Sequence, residues 1–149
     1  MTAYERALDR IAATGATRAH SAVAAEAAES AYADFWRHQP LPTGAGDEEH
    51  AREVERFERL HAAARAARTA ETAAFTDWID AYARAREIAG ERDAAAWTAY
   101  DRVWAAAEAT QRELVEIEIE VGPLSLHGRA TAIAAAEAFA VAYTAATGR

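Results

Sequence analysis

Cysteine is absent from the 149 residues, so disulfides, thiolate metal sites and cysteine nucleophiles are all excluded. Proline appears three times and glycine seven times, which leaves few positions where a helix must stop. Basic charge is sparse as well. The formal net charge is -8 and the pI about 5.1, whereas nucleic-acid binders carry a clustered basic patch. The arginine run Arg52, Arg56, Arg59, Arg65 and Arg68 is interleaved with Glu48, Glu49, Glu53, Glu55 and Glu58, the pattern of a solvated helix face. Nucleic acid is therefore not an expected partner. Nucleotide-binding glycine loops, a serine nucleophile elbow, paired zinc-histidine motifs and calcium loops are also missing. The opening residues Met1 to Arg6 lack the basic start and apolar run of a secretion signal. Ala130 to Ala146 is the one long apolar stretch, and Glu137 interrupts it. These features predict a cytoplasmic protein with no membrane span.

What the chain does contain is alanine in great number, with arginine supplying all 16 basic residues, a bias that favours helix over strand or disorder. A single all-α domain over residues 1–149 is expected, a bundle of about four helices. The first should run from about Thr2 to His38, with Leu8, Ile11, Val23, Tyr32, Phe35 and Trp36 as its larger apolar residues and an interruption at Gly15. Gln39 to Gly46 reads as a loop. Asp47 suits an N-cap, with Glu48 and Glu49 in the first turn where the helix dipole favours them. The next glycine is Gly90, so the second helix can reach about 43 residues, roughly 64 Å at 1.5 Å per residue. Pairs four apart, Glu48 with Arg52, Glu55 with Arg59 and Asp80 with Arg84, support its exposed face. Val54, Phe57, Leu60, His61, Ala64, Phe75, Trp78 and Tyr82 should face inward, with a weak stretch at Thr69 to Thr72 where the helix can bend.

Gly90 suits a C-cap and Asp93 the next N-cap, so the second and third helices are predicted to form an antiparallel hairpin. Trp97, Tyr100, Trp104, Ala107, Gln111 and Leu114 recur at spacings of three and four, a core-facing stripe. Residues 116–121 alternate perfectly and fit either a helix end or a short β element. After Gly122-Pro123 and a linker to Gly128 comes the last helix, apolar all round, a composition expected to be buried among helices or against a second subunit.

Two constellations carry chemistry. Glu58 and His61 stand one turn apart on a helix face, the spacing that ferritin-like carboxylate proteins use on two helices. Glu29, Glu113 or Glu116, and Glu137 would complete an iron, manganese or zinc site. The second histidine of that pattern is absent, since Ala140 follows Glu137 by three. Trp78, Tyr82, Trp97, Tyr100 and Trp104 would line an apolar ligand pocket or form core. Glu137 is either the solvent side of its helix or a buried carboxyl. Three classes of function follow. The first is a non-enzymatic interaction or assembly protein, with a second copy as the simplest cover for a 64 Å helix. The alternatives are a metal-dependent oxidase or storage protein, and a small-molecule-binding module.

Overall fold

In a computed structural model describing residues 1–38, 46–116 and 125–149, the chain is all-α: α1 (Ala3–His38), α2 (Asp47–Ala89), α3 (Ala94–Glu116) and α4 (Leu126–Thr147). No strand occurs among the described residues. Residues 117–121 of the alternating stretch lie outside them, as do the side chains of Gln111, Glu113, Leu114 and Glu116. Two compact units divide the chain: Ala12–Trp78, and Met1–Ile11 together with Ile79–Arg149.

In the unit Ala12–Trp78, α1 and α2 run antiparallel. Partners on α2 rise in number as those on α1 fall: Tyr32 meets Phe57 at 5.8 Å, Glu29 takes the Arg68 guanidinium, and Arg18 lies 4.4 Å over the Trp78 ring. The inward positions of α1, among them Thr14, Arg18, Ala25, Tyr32 and Phe35, fall on a seven-residue repeat of threes and fours, the spacing of a coiled-coil seam. On α2 the same repeat turns Phe57, Ala64, Glu71 and Trp78 inward. Arg68 closes this seam at mid-length, with Nε 2.8 Å from Glu29 Oε1 and Nη1 3.2 Å from the buried Glu71. A guanidinium fork on two carboxylates holds register as well as charge.

α1 is unbroken at Gly15. A Cβ there would come within 3.3 Å of the Trp78 indole nitrogen, so the glycine makes room for the ring, and helix packing outweighs its cost of about 1 kcal/mol. α2 is likewise unbroken through Thr69 to Thr72. Threonine hydroxyls bond back to carbonyls one turn earlier, Thr69 to Arg65 at 3.0 Å and Thr76 to Thr72 at 3.0 Å, and Arg68 pairs with Glu71 in the same turns. On the outer face Glu48 pairs with Arg52 at 3.7 Å, whereas Arg84 turns to Glu87 at 3.0 Å. Val54, expected inside, is exposed.

In the other unit, α2 ends at Ala89 with Gly90 at φ +60°, the left-handed residue that closes a helix. Asp93 precedes α3 at φ 50°, a conformation that costs a non-glycine residue free energy. Its carboxylate is engaged by Tyr4, whose hydroxyl donates to Oδ2 at 2.7 Å. Tyr82 stacks on Tyr100 at 5.4 Å, and Arg86 grips Asp101 with Nη2 2.8 Å from Oδ2, so the predicted α2–α3 hairpin forms here. α4 begins at Leu126, earlier than the linker reading placed it, because Ser125 accepts from the Gly128 N–H at 3.0 Å and satisfies a free donor of the first turn. Gly148, at φ +72°, closes its end with a 2.8 Å bond to the Thr144 carbonyl.

Candidate functional site

The described residues of the carboxylate and histidine set fall in both units. Glu58 is exposed on α2. His61, half-buried, stacks on Phe57 with ring centres 5.7 Å apart and planes 13° apart, and its centre is 5.4 Å from Tyr32. Glu29 is committed to Arg68, whose hydrogen bonds hold its carboxyl below the usual range. Glu137 is exposed on α4 and belongs to the other unit. Among the described residues no three His, Asp or Glu side chains gather as metal ligands would.

Four of the five aromatic residues named from sequence fall in the unit of α3 and α4. Tyr82, Trp97 and Tyr100 are buried, packed on one another and on Phe139, whose ring lies 4.4 Å from Trp97 and 5.8 Å from Tyr82. Trp104 flanks them, half-buried, 6.2 Å from Tyr100. Trp78 lies in the other unit, under the Arg18 guanidinium and edge-on to Phe75 at 5.6 Å.

Sequence reading missed Tyr4, the polar hinge of this core. Its hydroxyl accepts from Trp97 Nε1 at 2.9 Å and donates to Asp93, so both polar tips of the buried rings are satisfied. Burial, and then the Asp93 carboxylate, push the Tyr4 phenol far above its ordinary range, and burial raises Tyr100 too. A tyrosine at the second residue of a helix carries no periodic signal of its own, which is why the pattern did not reveal it.

Among the described residues Met1 and Val23 are exposed singly, and two surfaces each expose a pair of large apolar groups. One lies where α1 ends and α2 begins: Trp36, 56 % exposed, packs edge-on against Phe57 at 5.4 Å and against Tyr32 at 6.4 Å, with Val54 exposed nearby along α2. The other is the outer side of α4. Gly128, Thr131, Ala132, Ala135, Ala136 and Phe139 are the buried residues of this helix and form one stripe. The opposite stripe is Leu126, Ala130, Ala134, Glu137 and Val141, all exposed, with Leu126 90 % and Val141 72 % exposed. A helix apolar all round was expected to be buried among other helices or against a second subunit. Within this chain α3 and the end of α2 cover one side of it, since side chains on opposite faces of a helix cannot both meet the same neighbours. By length and composition alone α4 is also long and apolar enough to cross a membrane.

Compared with protein-family models, curated proteins and solved structures, the chain finds no match.

Proposed function

We propose that this chain is a non-enzymatic interaction and assembly protein whose contact surface is the outer stripe of α4. The observation that carries this reading is the uncovered side of an apolar helix: only 28 % of its most apolar 18-residue window is buried, and its two large outward residues are mostly exposed. Apolar area of that kind favours association, because removing it from water contributes about 25 cal/mol per Å². Glu137 supports a protein partner over lipid. It sits at the midpoint of α4 on the outer stripe, where an ionised carboxylate in a bilayer would cost a few kcal/mol. A protein contact tolerates it, given a cation or water at its edge.

Sedimentation velocity across a concentration series from micromolar upward tests this. The expected result is a species of at least twice the single-chain mass, shifted towards single chains by Ala134→Glu with unchanged helical circular dichroism. Single chains at every concentration, or co-flotation of the chain with phosphatidylcholine vesicles, would overturn the reading.

A further inference from the structure

We infer that Tyr4 is a redox site: when a one-electron oxidant attacks the ring core of α3 and α4, the electron is lost from Tyr4 and its phenolic proton passes to Asp93. The site does not depend on what covers α4. Tyr4, Asp93 and Trp97 lie in one unit and are already joined. The Tyr4 hydroxyl donates to Asp93 Oδ2 at 2.7 Å and accepts from Trp97 Nε1 at 2.9 Å. A carboxylate is thus in contact to receive the phenolic proton, and the oxygen keeps a donor once that proton has gone. Trp97 has no such outlet, because its N–H points at a hydroxyl oxygen, a far weaker base than a carboxylate.

Burial turns this difference into a preference. An electron lost from Trp97, 1 % exposed, or from the buried Phe139 beside it leaves a cation in an apolar interior, where an added charge is costly. Lost from Tyr4 with transfer of the proton, it leaves a neutral phenoxyl radical and a neutral Asp93 carboxyl where one negative charge stood. The Tyr4 O–H bond breaks, an O–H bond forms on Asp93, and the oxidant gains one electron. The Arg92 guanidinium, 5.7 Å over the Tyr4 ring, disfavours positive charge there and so favours departure of the proton. Neighbouring rings supply the route from the surface. Trp97 is 5.4 Å from Tyr100, and Tyr100 is 6.2 Å from the half-buried Trp104, whose indole donates to the Tyr100 hydroxyl. Tyr4 itself is 4 % exposed, so an oxidant too large to enter the core reaches it through Trp104.

Photogenerated ruthenium(III) tris(bipyridine), a bulky one-electron oxidant, tests the assignment, with radicals trapped by rapid freezing and read by electron paramagnetic resonance. Wild-type protein should give a neutral tyrosyl radical, formed more slowly in deuterium oxide because a proton moves with the electron. Tyr4→Phe should lower that signal several-fold and leave tryptophan-derived radicals in its place, whereas Tyr143→Phe, which removes a phenol off the route, should keep it. Asp93→Asn preserves the backbone, since asparagine tolerates the positive φ, and preserves an acceptor oxygen, but it removes the base. It should lower the tyrosyl yield several-fold with helical circular dichroism unchanged. A wild-type protein that forms no tyrosyl radical, or forms it equally fast in both solvents, overturns the assignment. So does a signal undiminished in Tyr4→Phe or in Asp93→Asn.

Discussion

Among the described residues each unit holds a cluster of at least four rings, one around Trp97 and one around Phe57, and the two differ in how water meets them. Around Trp97 the rings of Tyr82, Tyr100 and Phe139 are all buried, and the hydrogen-bonding tips of Trp97 and Tyr4 are satisfied by each other and by Asp93. At Trp36 the rings touch at similar distances, 5.4 Å to Phe57 and 5.9 Å to Phe35, yet the indole stands more than half in solvent. Ring contact alone therefore does not make a core. Exclusion of water, together with a partner for each polar atom, separates a stability centre from a surface patch.

The contrast predicts a graded series of losses. Trp97→Ala should be the most damaging change, at about 3–5 kcal/mol for a buried aromatic truncated to alanine; urea titration checks it, and a loss below that of Trp36→Ala would reverse the assignment of core. Tyr4→Phe keeps the ring and leaves the buried Trp97 N–H without an acceptor, at a cost of about 1–3 kcal/mol. It should also change alkaline behaviour. Since the folded state holds Tyr4 and Tyr100 protonated beyond the ordinary tyrosine range, their contribution is complete below about pH 10 and is lost as the pH rises above it. Tyr4→Phe should flatten that decline in part, with Tyr100 accounting for the remainder, as denaturant midpoints measured at rising pH would show.

Smaller effects belong to the open cluster. Trp36→Ala should cost about 1 kcal/mol or less, and in single-tryptophan variants acrylamide should quench Trp36 strongly and Trp97 weakly. Equal quenching would remove the distinction between the clusters. The least effect on stability is expected from Glu29→Gln at neutral pH. Its carboxyl is held below the usual range by Arg68, so the pairing contributes above the ordinary glutamate value of about 4.3 and is lost as pH falls through the lower folded value. Wild type and Glu29→Gln should therefore converge in stability on acidification, and parallel curves in acid titrations would show that the fork on Arg68 contributes nothing.

Legibility followed residue type. Gly90 and Asp47 were read correctly as a helix end and a helix start, because a left-handed closing residue and an acidic first turn are local features. Trp97 and Tyr100 were found on the inner stripe because large rings at helical spacing stand out against alanine. Thr14, Arg18, Ala25 and Glu71 were not, although they are buried or half-buried on the same seven-residue repeat. Small or polar side chains on inward positions leave no hydrophobic contrast to detect. Val54 misled in the opposite sense, being placed on the inner face and standing exposed. Of the candidate sites, the metal set joined residues whose helical spacing was right but whose surroundings spacing could not specify: an arginine on Glu29, an aromatic stack on His61, and open solvent at Glu58 and Glu137.

From the sequence alone came the helical class, the two long first helices, the α2–α3 turn, and the exclusion of cysteine chemistry. These rest on backbone propensity, on glycine and proline placement and on residue content. Tertiary structure decided that Gly15 and Thr69 to Thr72 stay helical, that Tyr4 links Trp97 to Asp93, and that α4 hides one stripe and shows the other. In helices made so largely of alanine, every face is nearly equally apolar. Which face is buried is then set by the few large side chains and hydrogen-bonding tips that arrive from distant parts of the chain, and no local pattern encodes their meeting.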